Sequence, residues 1–306
     1  MTEANPVLRV RGLRKRYGDA PVLRGVDLDL PAAAVLGLVG LNGSGKTTTI
    51  ECILGLRDFQ QGDVSVLECG PGELFRLQGD IIAIFDSPSV APHLTVRQCL
   101  EHARRMCPRP VRSCAEVERL LGIESYSGFR IRQLSLGNRR RVSIAHGLLG
   151  APRLILLDEP FNGLDAGGVD QVLALIGELN RETGASFLLS SHQLPYLEAV
   201  CSHIAILHQG RIAVAGELQG LLADTGSRVV LRSSEPARAR ELLGGDERIE
   251  LLGEGTDGRL LLRLEDYSSE QLAAHLVHND VPVAELIRQR ASLDSLFRQL
   301  TAGEAA

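Results

Sequence analysis

Apolar and polar residues alternate in the first part of the chain in a way that predicts β-strands. From Val7 to Leu13 and from Val26 to Leu30 most apolar residues are two positions apart, as in antiparallel strands with one solvent-facing side. The segment from Ala33 to Val39 is instead continuously small and apolar, which is typical of a strand buried on both faces. The amino-terminal region is therefore predicted to combine a one-sided antiparallel sheet with the first strand of a buried sheet.

Strand and helix patterns then alternate up to a hairpin predicted around Gln209-Gly210. Short apolar runs predict strands at Val64–Leu67, Ile81–Phe85, Leu154–Leu157, Ser186–Ser190, Ile204–His208 and Arg211–Ala215. Helical spacing occurs at Thr47–Leu56, at Val169–Arg181, from Pro195 to Val200 and, broken by prolines, from Val96 to about Gly150. The alternation favours an α/β fold with a mostly parallel sheet and helices on both faces, and the long helical stretch indicates a separate lobe at about residues 90–150.

The pattern changes after Asp224. Strands are predicted at Arg228–Leu231, Arg248–Leu252, Leu260–Leu264 and Val281–Ile287, with helices at Ala237–Leu243 and Ser268–His278. The order β-α-β-β-α-β is that of a split βαβ, ferredoxin-like unit, and a last helix is predicted from Ser292 to Thr301. We therefore expect a large domain over residues 1–225 and a small α+β accessory domain over residues 226–306.

Composition and charge exclude several classes of protein. The chain has 306 residues, of which 44% are hydrophobic and 23% charged, and its net charge of −5 argues against nucleic acid as a partner. The longest apolar run, Pro31 to Leu41, is about half of what a transmembrane helix needs. Met1 to Pro6 has neither a basic residue nor an apolar stretch, so we expect no secretory signal and a cytoplasmic protein. None of the six cysteines forms a Cys-x-x-Cys pair, which favours reduced thiols over a zinc or redox site.

The strongest chemical signal is the segment Gly40-Leu41-Asn42-Gly43-Ser44-Gly45-Lys46-Thr47-Thr48. It fits the phosphate-loop pattern G-x-x-x-x-G-K-[ST] and lies between a predicted buried strand and a predicted helix, as this motif requires. The glycines let backbone N–H groups point at phosphate oxygens, and the helix N-terminus favours negative charge. Lys46 is expected to contact the β- and γ-phosphates and Thr47 a Mg²⁺ ion, so the segment predicts binding of ATP or GTP.

Two carboxylates, Asp158 and Glu159, follow the predicted strand Leu154–Leu157. Ligands of a parallel sheet bind at the carboxyl ends of its strands, which places both acids beside the phosphate loop. Asp158 is expected to hold Mg²⁺ through its water shell, and Glu159 to polarise the attacking water as general base. An isolated Asp-Glu pair after an apolar run usually begins a turn, but the phosphate loop upstream favours the catalytic interpretation.

Four further segments follow in a defined order. They are Lys15-Arg16-Tyr17-Gly18, Leu134-Ser135-Leu136-Gly137-Asn138, Asn162-Gly163-Leu164-Asp165 and Ser190-Ser191-His192. With the two preceding motifs they resemble the ABC transporter ATPase family over roughly residues 7–220: an adenine-stacking aromatic at Tyr17, the signature Leu-Ser-Gly-Gly-Gln, the D-loop and the switch histidine. The resemblance implies the P-loop NTPase fold of ABC ATPases, with an antiparallel β subdomain and a helical subdomain, and it implies ATP and Mg²⁺ as ligands.

The resemblance also implies an active site shared between subunits. Two ATPase subunits, in a homodimer or a heterodimer, form a head-to-tail dimer with two ATP molecules at the interface. Ser135 and Gly137 of one subunit cap the γ-phosphate that the phosphate loop of the other holds. His192 contacts the γ-phosphate, and Asp165 links the two sites. Integral-membrane permease subunits are the implied partners, which places this subunit on the inner face of the cell membrane.

Departures from the family pattern point to a subgroup. Asp86 stands where the family has a glutamine that touches Mg²⁺, and its carboxylate either faces Mg²⁺ or caps the following turn. Asn138 replaces the signature glutamine and is one methylene shorter. The acid at this loop, Leu136 in the signature and the final segment Ala291–Thr301 resemble the ATPases of bacitracin-type and lantibiotic-immunity exporters. The run Arg139–Arg141 suggests either phosphate or lipid affinity or, as we favour, a solvated helix face.

The resulting hypothesis is the ATP-hydrolysing subunit of an exporter for a drug, a peptide antibiotic or a similar substrate. An importer ATPase uses the same motor and stays open. A non-transport ABC protein acting on ribosomes or DNA is disfavoured, because the chain has one phosphate loop and no sustained heptads. A regulatory module that binds ATP and barely hydrolyses it is opposed by the presence of Glu159 and His192, but Asp86 leaves this alternative open.

Overall fold

The computed structural model describes residues 5–87, 90–223, 227–255, 258–289 and 292–302. It forms two compact units, Met1–Leu218 and Gln219–Ala306. The predicted domain boundary between residues 225 and 226, and Ala291 at the start of the final segment, lie outside the described residues. Among the described residues, no helix is both long enough and apolar enough to span a membrane.

A three-stranded antiparallel sheet begins the first unit. Its strands are β1 (Leu8–Tyr17), β2 (Ala20–Leu30) and β4 (Gln61–Val66), in the order β2-β1-β4. Buried Leu8, Val10 and Leu13 alternate with exposed arginines along β1, as the sequence pattern predicts. The strand continues beyond Leu13 and stays paired with β2 as far as Tyr17, with register shifts along the way, and the ammonium of Lys15 donates a hydrogen bond to the Asp58 carbonyl.

A sheet of six strands carries most of the remaining core of this unit. Its strands are β3 (Val35–Val39), β5 (Ile81–Ile84), β6 (Leu154–Asp158), β7 (Ser186–Ser191), β8 (His203–His208) and β9 (Arg211–Glu217), in the order β5-β6-β7-β3-β8-β9. All neighbours are parallel except β8 and β9, which form the predicted hairpin. The central strands β3, β6 and β7 are buried along their whole length, which explains the continuously apolar sequence of β3 and the apolar runs within β6 and β7. Their carboxyl ends lie together, with Val39 paired to Ser191 and Asp158 to Ser190.

The helices of the first unit are α1 (Lys46–Ile53), α2 (Val96–Met106), α3 (Cys114–Leu120), α4 (Leu136–Gly147), α5 (Ala166–Thr183) and α6 (Leu194–Val200). Helix α7 (Leu218–Ala223) begins at the last residue of this unit. Helices α2, α3 and α4 pack on one another, and capping boxes at Thr95 and Ser113 begin the first two. A 3-10 helix at Pro71–Leu77 has no counterpart in the predicted elements.

The second unit has the strand and helix order expected from its sequence. Its elements are β10 (Ser227–Arg232), α8 (Pro236–Leu243), β11 (Ile249–Glu254), β12 (Arg259–Leu264), α9 (Ser269–His278), β13 (Glu285–Gln289) and α10 (Leu293–Ala302). The antiparallel sheet order β11-β12-β10-β13 is that of a split βαβ unit, because each crossover pair has another strand between its members. The last strand begins at Glu285 and not at the predicted Val281, because the Val281 N–H donates to the Leu276 carbonyl at the end of α9.

The six cysteines are free thiols, as predicted. Cys52, Cys99, Cys114 and Cys201 are buried, and burial raises the pKa of each of these thiols above its ordinary value. The protonated form therefore predominates near neutral pH, so these four cysteines act as small apolar packing residues.

Candidate functional site

The phosphate loop joins the end of β3 to the start of α1. Gly43 and Gly45 adopt positive φ angles of 83° and 107°, and Gly45 is the N-cap of α1. A side chain at Gly40 has no room, because an added Cβ would lie 2.7 Å from the Leu207 carbonyl oxygen. The loop therefore needs glycine at these positions for conformational and steric reasons. Leu41 and Asn42 are exposed and Thr48 is half-buried on the first turn of the helix.

The interior of this loop suits an anion. The hydroxyl of Ser44 is buried and has no hydrogen-bond partner within the described part of the chain. Buried polar atoms are rarely left unpaired in a folded protein, so this hydroxyl is available to a ligand. The backbone amides at the N-terminus of α1 add a favourable dipole for negative charge. Both features fit a bound phosphate.

Lys46 lies beneath the loop with only 6% of its surface exposed. Its ammonium donates to the carbonyl oxygens of Gly40 at 2.8 Å and Leu41 at 3.3 Å. The same ammonium forms an ion pair with Glu159 Oε1 at 3.1 Å. The Lys46 side chain thus connects the phosphate loop with Glu159 at the end of β6. The two residues are far apart in sequence, so their contact was only an expectation from the sequence.

Thr47 and Asp158 come together although they are 111 positions apart in sequence. The Thr47 hydroxyl donates to Asp158 Oδ2 at 2.9 Å, and the Ser190 hydroxyl donates to Asp158 Oδ1. Asp158 is 4% exposed, and its carboxylate is fixed by these two hydroxyls. A threonine hydroxyl next to a carboxylate is a pair of hard oxygen donors, which fits the preference of Mg²⁺.

Glu159 lies between Lys46 and His192. Its Oε2 atom is 3.0 Å from His192 Nδ1, and 8% of the residue is exposed. The backbone at Glu159 has a φ of +47°, a conformation that non-glycine residues rarely adopt. Its N–H donates to the carbonyl and the hydroxyl of Ser190, at 3.0 and 3.1 Å. The backbone of Glu159 is strained and held by hydrogen bonds, and its carboxylate is fixed between a histidine and a lysine. Such a carboxylate is suited to act on a water molecule at the phosphate.

Arg140 is a buried residue of the candidate site that the sequence pattern did not indicate. The prediction that the run Arg139–Arg141 is a solvated face is wrong for Arg140, which is 2% exposed. Its guanidinium donates to backbone carbonyls next to β6 and to the Asp86 carboxylate, whose Oδ1 lies 3.0 Å from Arg140 Nη2. The signal was present: Arg140 precedes Ile144 by one helical turn and so lies on the buried face of α4. The role of Asp86 as a Mg²⁺ ligand stays a prediction.

The signature and D-loop residues lie on another surface of the chain. Ser135 is the N-cap of α4 and accepts a hydrogen bond from the Asn138 N–H at 3.3 Å. Asp165 is the N-cap of α5 and accepts one from the Gly168 N–H at 2.8 Å. One concave surface is lined by the signature and D-loop residues Ser135, Leu136, Gly137, Asn138, Gly163, Leu164 and Asp165. Within the described part of the chain, no residue of the phosphate loop lines this concavity.

Tyr17 is an accessible aromatic ring at the end of β1. It is 43% exposed, and the buried ammonium of Lys15 lies 5.0 Å from the ring centroid. A cation on one face of a ring fixes its position and leaves the other face available for stacking. This arrangement is compatible with the predicted contact to adenine.

Comparisons with known proteins place the chain in a family. The family model described as ABC transporter matches residues 23–162. The uncharacterized ABC transporter ATP-binding protein YdbJ of Bacillus subtilis (strain 168) is 30% identical over 300 residues, which cover 97% of this chain and 96% of that protein. The methionine import ATP-binding protein MetN of Mesorhizobium japonicum is 28% identical over 321 residues, with coverage of 98% and 86%.

The same fold occurs among solved structures. The dimeric structure of the bacterial ABC transporter cassette MJ0796 has a TM-score of 0.61 and 24% identity, and the match covers 69% of this chain and 98% of that one. The predicted fold class, an ABC ATPase with parallel and antiparallel sheets and helices, is thereby confirmed. A phosphate loop joined to a buried Asp-Glu pair, and a relative that matches nearly the whole length, lead to one conclusion: the chain belongs to the ABC transporter ATP-binding family and is an ATPase subunit.

Proposed function

We propose that this chain hydrolyses ATP in sites formed by two ATPase subunits, in a homodimer or a heterodimer. The observation that carries the proposal is the division of the site within one chain. The phosphate loop with Lys46 and Glu159 lies at the ends of β3 and β6, whereas Ser135 lines a separate concavity at the start of α4. Each surface holds half of the predicted machinery. A head-to-tail dimer brings each half against its complement, and the MJ0796 structure is described as dimeric.

The chemistry follows from the residues of each half. The phosphate-loop amides and Lys46 neutralise and orient the β- and γ-phosphates, and the hydroxyl of Ser44 adds a donor. Glu159 accepts a proton from the attacking water, and His192 fixes its carboxylate. Thr47 and Asp158 would hold Mg²⁺, with Asp86 as a further predicted ligand, and the bound ion would neutralise negative charge on the phosphates. Ser135 and Gly137 of the other subunit close the site on the γ-phosphate.

Mixing two inactive variants tests this division. Lys46→Ala disables the phosphate-loop half, and Ser135→Asp disables the signature half while keeping an oxygen that caps α4. In a mixed dimer one composite site receives both defects and the other receives none. We expect each variant alone to be nearly inactive, and an equimolar mixture to recover up to about a quarter of wild-type ATP turnover per subunit, because about half of the dimers are mixed and each has one intact site.

The matched control is a double variant that carries Lys46→Ala and Ser135→Asp in one chain. Mixing this double variant with either single variant produces no dimer with an intact site, so turnover should stay at the background level. Equal activity of the mixture and the single variants, with dimers demonstrated by light scattering, contradicts a shared site.

We further propose that the transporter driven by this subunit exports a drug, a peptide antibiotic or a similar substrate through separate integral-membrane permease subunits. The support is the resemblance of Asp86, Leu136 and the final segment to the ATPases of such exporters. In this proposal the subunit lies at the inner face of the membrane. The importer alternative is favoured by another observation, the match to a methionine import ATPase over 98% of the chain.

A transport assay separates the two directions. The subunit is reconstituted with its permease in vesicles that expose the ATPase to the outer solution, and ATP is added outside. An exporter accumulates the labelled substrate inside such inverted vesicles, whereas an importer releases a preloaded substrate. The Glu159→Gln variant is the control, because it should abolish either movement without altering assembly.

A further inference from the structure

Arg140 connects three segments that carry different parts of the site. Nη1 donates to the carbonyl oxygens of Glu159, Pro160 and Asn162, at 3.0, 2.5 and 3.1 Å. Nη2 donates to the Asp86 carbonyl at 2.7 Å and to its carboxylate at 3.0 Å. The guanidinium therefore ties α4, the backbone after β6 and the Asp86 segment into one hydrogen-bonded unit.

The backbone that Arg140 holds is the one under strain. Glu159 has its φ at +47°, and a non-glycine residue keeps such a conformation only when its surroundings enforce it. Ser190 holds the Glu159 N–H, and Arg140 holds the Glu159 carbonyl. The peptide groups on both sides of the Glu159 side chain are thus fixed, and the direction of that side chain toward Lys46 and His192 depends on both anchors.

The chemistry of this anchor requires arginine. The carbonyls of Glu159, Pro160 and Asn162 and two oxygens of Asp86 surround one planar guanidinium, which presents five N–H donors in a fixed plane. A lysine ammonium has three donors on a point charge, and a glutamine amide has two. Neither can satisfy all of these acceptors from a position that is 2% exposed.

We propose that Arg140 is a positioning residue for ATP hydrolysis, which sets the orientation of Glu159 and couples it to Asp86 and to helix α4, which Ser135 caps. The inference rests on the proposed function, because it assumes that Glu159 is the general base. Arg140 does not contact the phosphate loop in any hydrogen bond of the described residues, so its effect falls on turnover and leaves ATP binding nearly unchanged.

The test compares Arg140→Gln and Arg140→Lys with wild type in the full-length chain. We expect Arg140→Gln to lower kcat by about 10²-fold, the effect of misplacing a catalytic group by about 1 Å, with the ATP dissociation constant changed by less than about threefold. Arg140→Lys keeps the charge and part of the hydrogen bonding, so its kcat should be about tenfold higher than that of Arg140→Gln.

The matched control is Arg153→Gln. Arg153 forms an ion pair with Asp80 at 3.9 Å, and these residues precede β6 and β5, the strands that lead to Glu159 and Asp86. The Arg153 side chain is 63% exposed and lies at the opposite end of β6 from Glu159. Its substitution should leave kcat within about twofold of wild type, as expected of an exposed ion pair.

Two results overturn the proposal while leaving the proposed function intact. One is an Arg140→Gln variant with wild-type kcat, or with a raised ATP dissociation constant and unchanged kcat, in a chain whose wild type hydrolyses ATP and whose Glu159→Gln variant does not. The other is a loss of turnover equal to the unfolded fraction measured by circular dichroism at the assay temperature. Failure of the proposed function itself appears instead as equal turnover of wild type and Glu159→Gln.

Variants of Asp86 keep the test decisive if the Arg140 variants do not fold. The Asp86 side chain is 54% exposed, so its truncation is compatible with folding. Asp86→Asn removes the charge but keeps an oxygen for Arg140, whereas Asp86→Ala removes that acceptor as well, so Asp86→Ala should have a kcat about tenfold lower than that of Asp86→Asn. Equal losses in both variants indicate that the charge of Asp86 matters and not its contact with Arg140, which contradicts the proposal.

Discussion

The Glu159→Gln variant is expected to bind ATP like wild type and to turn it over about 10²–10⁴-fold more slowly, the range measured for loss of a general base. Glutamine has nearly the same shape, and its amide oxygen can still accept a hydrogen bond from Lys46, 3.1 Å from the present carboxylate. It cannot take a proton from water. The measurement is steady-state kcat for phosphate release at saturating ATP, combined with the ATP dissociation constant from equilibrium dialysis.

A second glutamate provides the control for this substitution. Glu182 is exposed on α5, so Glu182→Gln makes the same chemical change away from the site and should leave kcat unaltered. Because hydrolysis is needed to reopen the proposed dimer, Glu159→Gln should also elute as an ATP-dependent dimer in size-exclusion chromatography. Wild-type turnover in Glu159→Gln excludes the assignment of this residue as the base.

The second large effect is expected from Lys46→Ala. Lys46 is buried, and it contributes the positive charge that pairs with Glu159 on the phosphate-loop side. In the proposed complex the Lys46 ammonium pairs with the phosphates of ATP, and truncation of one partner of such a buried pair between protein and ligand costs about 2–5 kcal/mol, which corresponds to about 30-fold to more than 10³-fold in the ATP dissociation constant. The same change leaves the Glu159 carboxylate buried without its cation, so the free energy of unfolding should also fall.

The double variant Lys46→Ala, Glu159→Gln separates these two effects. It removes the unpaired carboxylate, so thermal stability should return toward the wild-type value. The affinity for ATP should stay as low as in Lys46→Ala alone, since glutamine does not restore a cation under the loop. Recovery of ATP affinity in the double variant disproves a direct role of Lys46 in binding phosphate.

The parts of the fold that the sequence predicts are those fixed by local patterns. The strand from Ala33 to Val39, the phosphate loop and the helix after it form one contiguous segment, whose glycines and lysine have their positions dictated by the turn itself. The buried strand Leu154–Asp158 is equally predictable, because a strand covered on both faces has an almost continuous apolar sequence, here Leu154 to Leu157.

Features that depend on distant partners were harder to predict. Arg140 is buried because carbonyls 19 to 22 positions later and Asp86, 54 positions earlier, converge on it, and its own neighbours Arg139 and Arg141 suggest a solvated surface. The start of β13 shows the same limit. Val281 is apolar and lies in the core, but its N–H is used by the end of α9 and is lost to the sheet.

The order of strands in the central sheet has a consequence for synthesis of the protein. β3 is made early, but its two neighbours are β7 and β8, and Val35 at its start donates to Ser202, which follows 167 positions later. At a translation rate of about 5–20 residues per second, the nascent strand waits roughly ten to thirty seconds for both edges to be covered. During that interval the emerging chain carries a complete phosphate loop, but β7 and β8, the strands that flank β3 in the finished sheet, have not yet been made.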